Sequence, residues 1–160
     1  EEALAVLDAA EEEGLVHCTY NFEHNQMFVC NCCSCCCGFM RLLTEYHTPY
    51  GLVRSNWEAV IDEDLCETCG LCAHERCPVE AVEETDGGDY RVIAERCIGC
   101  GVCVITCPTE AMTIRPRPES EHTVPPRNIV DWSVQRAANR SGPVKAMALR
   151  GWLKWHEMRS

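Results

Sequence analysis

The sequence lacks several features that would assign the chain to common protein classes. No run approaches about 18 consecutive apolar residues, so we expect no transmembrane segment. It contains no secretory signal, no glycine-rich phosphate loop and no Ser–His–Asp set, and we therefore predict no catalytic residues. The sequence begins with Glu1 rather than Met, so it is compatible with a product whose N-terminus has been trimmed or is otherwise incomplete.

Basic residues are scarce over the first 116 positions. Residues 1–60 carry a net charge of −7 and residues 61–116 a net charge of −8, whereas residues 117–160 carry +4. The acidic body argues against nucleic acid as a partner, because a phosphate backbone would be repelled. The basic tail indicates another environment, either an acidic protein surface or an anionic membrane face.

Cysteine is the residue that the chain has in excess, with 15 in 160 residues. At this density the thiols either form disulfides or hold metal. An odd number cannot pair completely within one chain, and adjacent cysteines are poorly placed for a disulfide framework. Thiolate ligation of iron or zinc is therefore the stronger interpretation.

The pattern of residues divides the chain into three segments: a cysteine-rich module at 1–59, an internal repeat at 60–116, and a linker with a helical tail at 117–160. Apolar periodicity predicts helices over 2–13, 39–46, 129–139 and 144–160. A hairpin is expected from strands at 15–20 and 27–30. Four further strands are expected in the repeat, at 59–61, 81–83, 91–93 and 112–114.

The repeat consists of one cysteine pattern that occurs twice. The first copy is Cys66-x2-Cys69-x2-Cys72-x4-Cys77-Pro78, and 31 residues later comes Cys97-x2-Cys100-x2-Cys103-x3-Cys107-Pro108. Three thiolates at this spacing wrap one face of a cube-shaped cluster, so the fourth ligand must come from elsewhere. The first copy has one extra residue before its last cysteine, which predicts a bulge there.

This pattern resembles that of the bacterial-type dicluster ferredoxins, which bind two 4Fe–4S clusters. The resemblance implies an α+β fold, a pseudo-twofold (βαβ)2 dicluster domain at 60–116. It also implies that each repeat lends its last cysteine to the other cluster. One cluster then takes Cys66, Cys69, Cys72 and Cys107, and the other takes Cys97, Cys100, Cys103 and Cys77. Small or turn-forming residues would let the backbone approach the clusters: Gly70, Gly99, Gly101, Pro78 and Pro108.

Residues 30–37 hold six further cysteines that lie outside the ferredoxin pattern. We expect a third metal centre here, iron–sulfur rather than zinc, because the neighbouring repeat already needs cluster assembly. Adjacent cysteines on an extended chain point to opposite sides, so only some can be ligands. The candidates are Cys18, Cys30, Cys32, Cys33 and Cys36, with His17 as an alternative to Cys18. A structural zinc site and a redox-active dithiol remain open.

The sequence as a whole predicts an electron carrier, either a ferredoxin or the ferredoxin subunit of a larger anaerobic redox complex. A redox partner would dock through the acidic face of 60–116 and through the basic tail that contains Trp152 and Trp155. The alternative is a redox enzyme or sensor with a reactive centre at 18–37 that the two clusters feed. We expect a reducing, cytoplasmic location.

Overall fold

The computed structural model describes residues 1–48 and 52–159, so residues 49–51 of the expected module and residue 160 of the expected tail lie outside it. The chain forms two compact units. One comprises Glu1–Cys18 and Cys30–Thr123, and the other comprises Thr19–Val29 and Val124–Ser160. All 15 cysteines lie in the first unit, so the cysteine-rich run and the repeat share one packed body.

The first unit combines short helices with three two-stranded antiparallel sheets. Its elements in chain order are α1 (Glu2–Glu12), β1 (Val16–Cys18), β2 (Cys30–Cys32), α2 (Gly38–Thr44), β3 (Trp57–Ile61), β4 (Val82–Glu84), β5 (Tyr90–Val92), α3 (Val102–Ile105) and β6 (Met112–Pro116). The pairs are β1 with β2, β3 with β6, and β4 with β5. This mixture is the α+β fold that the sequence predicts.

The N-terminal hairpin differs from the sequence prediction in where its second strand lies. The expected strand at 27–30 is wrong in extent, because β2 begins at Cys30, where the expected strand ends. The observed register pairs Val16 with Cys32 and Cys18 with Cys30. This register places Val16, which is 2% exposed, in the core. Burial of one apolar side chain therefore sets the pairing more strongly than the local preference of 27–30 for extended structure.

The core of the first unit is small and contains thiols. Its apolar side chains come from both the hairpin end and the repeat, and they are Val16, Met40, Ala59, Val79, Ala81, Val102 and Met112. Cys97 and Cys103 are buried among them, and several other thiols that are partly buried pack against the same cluster. The N-terminal module and the repeat thus share one hydrophobic core.

A buried ion pair connects the end of β6 with β3 and with the second cysteine repeat. Arg117, whose side chain is 1% exposed, donates to Glu58 Oε2 at 2.9 Å. The same guanidinium donates to the carbonyl oxygens of Ser55, Ala94 and Cys97, the last at 2.8 Å. The buried charge is therefore both paired and hydrogen-bonded, which offsets the cost of removing it from water.

The second unit contains a helical hairpin and the segment Thr19–Val29. The helix α4 (Ile129–Ser141) begins at Asn128, whose Oδ1 accepts the N–H groups of two residues in the first turn, at 2.9 and 3.0 Å. It ends at Gly142, which has φ of 84°, and Pro143 starts α5 (Pro143–Glu157). No helix in the described part of the chain is long and apolar enough to cross a membrane.

Replacing Arg117 by methionine should destabilise the protein, because Glu58 and three carbonyl groups would lose their buried donor. We expect a loss of about 3 kcal/mol, at the lower end of the range for breaking a buried pair. Thermal unfolding of the cluster-loaded protein under argon measures the loss.

Arg115 supplies a matched control for this prediction. It bonds the same Glu58 carboxylate at 3.0 Å, but its side chain is 63% exposed. Arg115→Ala should therefore cost less than about 1 kcal/mol. Equal losses in the two variants would contradict the role given to the buried guanidinium.

Candidate metal centres

Four cysteines of the repeat converge near the surface of the first unit. Cys66, Cys69, Cys72 and Cys107 line one small cavity, which Tyr90 and Met112 also border. Burial raises the pKa of the Cys72 thiol, and the charges of Cys66, Cys69 and Cys107 raise it further. The N–H of Met112 donates to Cys107 Sγ at 3.4 Å. We call this set the surface quartet because Cys69 is exposed and none of the four is fully buried.

The other four cysteines of the repeat surround a second cavity. Cys77, Cys97, Cys100 and Cys103 line it together with apolar side chains that include Val79, Val82 and Ile98. Burial raises the pKa of the Cys100 thiol to about 11 and that of Cys103 to about 12, and neighbouring thiols of the set add to both shifts. Cys97 and Cys103 are fully buried. We call this set the buried quartet.

The chemistry of both quartets fits an iron–sulfur cluster. Each places four free thiols around one cavity, where three come from one repeat and the fourth from the other. Backbone N–H groups also point at the sulfur atoms: Ala81 donates to Cys77 Sγ at 3.0 Å, and Ala59 to Cys97 Sγ at 3.5 Å. Such donors stabilise a thiolate bound to iron and influence its reduction potential. The raised pKa values imply that binding displaces protons from these thiols.

Comparison with known protein families identifies the domain that the two quartets build. A family model described as a 4Fe-4S dicluster domain matches residues 59–114, and a second model of the same description matches residues 96–139. The residues that match the first model, 59–114, contain all eight cysteines of the repeat, so this segment is a 4Fe–4S dicluster domain by similarity. The cofactors of this dicluster domain are two 4Fe–4S clusters, as the cysteine repeat predicts.

Curated relatives match the chain over part of their length. The chain is 41% identical over 54 residues to a ferredoxin of Pyrobaculum islandicum, which covers 34% of this chain and 50% of the relative. It is 32% identical over 54 residues to pyruvate synthase subunit PorD of Methanocaldococcus jannaschii, an alignment that covers 34% of this chain and 62% of the relative. It is 43% identical over 56 residues to electron transport protein HydN of Escherichia coli, an alignment that covers 34% of this chain and 31% of the relative. The chain thus spans between 31% and 62% of these relatives.

Two glycines of the dicluster domain are required by close backbone approach. Gly99 has φ of 68°, and a Cβ atom there would clash with the carbonyl oxygen of Trp57. Gly70 has φ of 76°, and its Cβ would lie 2.7 Å from the hydroxyl of Tyr90. Gly101 also has positive φ, but its Cβ would meet nothing nearer than 4.0 Å. The expected need for a small residue is thus strongest at Gly99, where the opposing atom is backbone.

The extra residue of the first repeat forms a π-helical turn over Cys72–Arg76. The Cys77 N–H donates to the Cys72 carbonyl at 3.1 Å, a bond across five residues. The predicted bulge is confirmed in this form, since a π-turn is the usual way for a helix to absorb one added residue. Arg76 at its end donates to the Glu12 carbonyl at 3.0 Å, in the last turn of α1. The insertion therefore also contacts the N-terminal module.

The seven upstream cysteines separate into two groups. Cys33, Cys35 and Cys36 form a compact trio whose three Sγ atoms lie within 4.8 Å of one another. A hydrogen bond from the Cys35 thiol, followed by one from the Cys36 N–H at 3.2 Å, lowers the pKa of Cys33 to about 7. We call this group the exposed trio, because Cys35 and Cys36 are exposed.

The remaining upstream thiols are Cys18, Cys30, Cys32 and Cys37, all partly buried. Burial, followed by a hydrogen bond with Cys37 and by the charges of the neighbouring thiols, raises the pKa of Cys32 to about 12. The structure thus brings together three of the five residues expected from the sequence and adds Cys37. It places Cys33 and Cys36 in the exposed trio instead. Which of these thiols bind metal stays a prediction.

His17, the sequence alternative to Cys18, faces away from the partly buried thiols. It lies between Val16 and Cys18 on β1, so its side chain projects from the opposite side of the hairpin. Its Nδ1 is 2.8 Å from Asn31 Oδ1, and its Nε2 is 3.4 Å from Glu11 Oε1. The Nδ1 atom is thus hydrogen-bonded to the Asn31 amide, whereas the buried Nε2 lies beside the Glu11 carboxylate without forming a hydrogen bond.

Replacing Gly99 by alanine should disrupt the buried quartet, because the Trp57 backbone cannot move away without distorting β3. We expect the variant to retain about half of the dicluster iron after reconstitution, since one of two clusters would be lost. Iron per chain, measured after anaerobic reconstitution, tests this.

Gly88→Ala is the matched control for this prediction. Gly88 has φ of 85°, but a Cβ atom there would meet nothing within 4 Å. The variant should keep its full iron content and lose only about 1 to 2 kcal/mol through backbone strain. Equal iron in the two variants would contradict the steric argument.

Proposed function

We propose that the chain transfers electrons through its two clusters, as a ferredoxin or as the ferredoxin subunit of a larger redox complex. The observation that carries this proposal is the convergence of eight free thiols into two quartets within one packed unit. When bound, each 4Fe–4S cluster accepts and releases one electron. The chain's own residues hold the sulfur ligands in place and exclude water from them.

The proposal includes crossed ligation within a pseudo-twofold (βαβ)2 domain. Cys107 completes the surface quartet and Cys77 completes the buried quartet, so each repeat contributes to both. Pairing of the strands supports this arrangement, because β3 pairs with β6 at the two ends of the domain, and β4 pairs with β5 at its centre. Two equivalent halves that exchange one ligand would produce this pattern.

Crossed ligation predicts different iron contents for two double variants. Cys66→Ser with Cys107→Ser removes two ligands from the same cluster and should leave the other intact. Cys66→Ser with Cys77→Ser removes one ligand from each and should damage both. We expect about 4 iron and 4 sulfide more in the first variant, which is the content of one cluster. Iron and acid-labile sulfide per chain, measured after anaerobic purification, test this, and equal contents would contradict crossed ligation.

The different exposure of the quartets favours electron exchange at the surface quartet. Cys69 is exposed, and so are the nearby acidic side chains of Asp62, Glu63, Asp64 and Glu67. Glu67 itself borders the cavity of the surface quartet. A negative rim around the exposed cluster would attract a basic redox partner and raise its association rate. We define these four carboxylates as the acidic rim.

Neutralising the acidic rim should slow electron transfer to a basic acceptor. We expect Glu63→Gln, Asp64→Asn and Glu67→Gln together to lower the second-order rate of reduction of a basic c-type cytochrome about tenfold at low ionic strength. The difference should disappear at high salt, because screening removes the long-range attraction. Stopped-flow mixing with the dithionite-reduced protein measures the rate.

A second triple variant controls for net charge in this experiment. Glu2→Gln, Glu12→Gln and Glu13→Gln remove the same charge from exposed positions at α1. They should leave the rate nearly unchanged. Equal slowing by both triple variants would contradict a docking role for the acidic rim, and failure to reduce the cytochrome at all would contradict the carrier function.

The helical tail is the second proposed docking element. On α5, Trp152 and Trp155 are about half exposed, and Val144 and Met147 are more exposed still. Basic side chains lie on the same helix, including Lys154. An apolar surface flanked by positive charge suits the groove of an acidic partner subunit. PorD is by its name a subunit of pyruvate synthase, and we propose a comparable assembly for this chain. We place this assembly in a reducing, cytoplasmic and anaerobic setting, as free thiols and iron–sulfur clusters require protection from oxidation.

The exposed trio favours a second candidate function, reduction of a disulfide substrate at residues 18–37. Cys33 and Cys35 have Sγ atoms 3.0 Å apart, and the lowered pKa of Cys33 supplies a thiolate near neutral pH. Two electrons and two protons convert a disulfide to two thiols, and reduced clusters would supply the electrons singly. Turnover of a small disulfide by the reduced, isolated chain would favour this candidate over the carrier.

A further inference from the structure

The N-terminal hairpin presents three thiols on one face. Cys18 lies directly opposite Cys30 in the antiparallel register, and Val16 lies opposite Cys32. Opposed residues share a face, as do residues two apart along a strand. The thiols of Cys18, Cys30 and Cys32 therefore share the face of Val16, which is 2% exposed and marks the inner side.

A fourth thiol joins this face from the start of α2. Cys37 precedes the first residue of the helix, and its N–H donates to the Cys33 carbonyl at 3.2 Å. This tight turn returns the chain to the hairpin after β2. Met40, one turn into α2, is 0% exposed and lies in the same core cluster as Val16. Cys18, Cys32 and Cys37 pack against that cluster.

The turn between Cys32 and Cys37 thereby divides the cysteine run. The exposed trio lies on the turn itself. The four partly buried thiols lie on the strands of the hairpin and at the start of α2. We call Cys18, Cys30, Cys32 and Cys37 the N-terminal quartet. Like each quartet of the dicluster domain, it has four thiols, some of which pack against the shared core, and it combines cysteines close together in sequence with one distant cysteine.

The spacing of the sulfur atoms distinguishes a cluster from a single metal ion. A tetrahedral zinc ion, with zinc–sulfur bonds of about 2.3 Å, holds its sulfur ligands about 3.8 Å apart. The exposed trio has such spacing, with Sγ distances of 3.0 Å from Cys35 to Cys33 and 3.5 Å from Cys35 to Cys36. Among the residues that the structure describes, no second group of potential ligands is gathered within 4.8 Å. Like the two quartets of the dicluster domain, the N-terminal quartet therefore has no three sulfur atoms that all lie within 4.8 Å of one another.

We propose that the N-terminal quartet binds a third iron–sulfur cluster, of the 4Fe–4S type. The thiolates of Cys18, Cys30, Cys32 and Cys37 would supply its four ligands, and Val16 and Met40 would shield it from water. The exposed trio would not contribute ligands. The proposal makes the first unit a body with three clusters that share one core.

The metal content of the full chain tests this proposal directly. Protein purified without oxygen should contain about 12 iron and 12 sulfide per chain, from three clusters of four each, and no stoichiometric zinc. About 8 iron and 8 sulfide, with or without zinc, would overturn the proposal and leave the dicluster function standing. A content well below that of two clusters would contradict the dicluster function itself.

Matched variants then locate the third cluster. Cys32→Ser should lower the content to about 8 iron, the amount in two clusters, while the electron paramagnetic resonance signals of the reduced dicluster domain remain. Cys35→Ser should keep the wild-type content, since its side chain belongs to the exposed trio. Loss of iron in Cys35→Ser but not in Cys32→Ser would overturn the ligand assignment.

A reductive titration of the unmodified chain keeps the proposal testable if a variant fails to fold. Three clusters accept three electrons per chain, whereas two accept two, because each cluster takes one. Spin quantitation of the fully reduced protein provides the same count. A titration that ends at two electrons would overturn the third cluster regardless of how the variants behave.

Discussion

Metal–thiolate bonds are the constraint on which the first unit depends, because its apolar core is too small to hold it together. Met40 is the one large side chain in the described residues that is almost completely inaccessible, and the other core members are mostly alanine, valine and cysteine. The strands contain three to five residues each, and each sheet has only two strands. Two-stranded sheets of this size are marginal alone. Cluster binding therefore contributes folding free energy as well as redox chemistry.

The buried ion pair explains how so small a core can hold its ligands in a defined position. Arg117 donates hydrogen bonds to both the Cys97 carbonyl and the Glu58 carboxylate, so it connects the β3–β6 sheet with the first cysteine of the buried quartet. Gly99 adds a second contact between the same regions, since its backbone lies against the Trp57 carbonyl. Polar contacts and close backbone packing thus perform the positioning that large apolar side chains provide in bigger domains.

The sequence predicts the dicluster domain well because the signals for it, cysteine spacing and short apolar strands, lie within a few residues of one another. Cysteine spacing defines each loop, and the expected strands at 59–61 and 112–114 coincide with β3 and β6 to within two residues. The upstream grouping could not be predicted in this way. It depends on the register of β1 with β2, and a shift of one residue would turn every side chain to the other face. Cys37 joins the partly buried thiols only through the turn before α2, which returns it to the hairpin and leaves no local sequence signal.

The three thiol quartets differ in exposure, so they differ in how accessible they are to a redox partner. The surface quartet has an exposed member beside the acidic rim, the buried quartet is enclosed by apolar side chains, and the N-terminal quartet is partly buried beside the same core. Electrostatic attraction speeds electron transfer most where it brings a partner close to an accessible cofactor. The acidic rim therefore favours exchange at the surface quartet. The π-turn connects the surface quartet with the N-terminal module, because it begins at Cys72 and Arg76 at its end contacts α1. The insertion of one residue in the first repeat thus adds a polar contact to the hydrophobic core that the dicluster domain shares with its N-terminal extension.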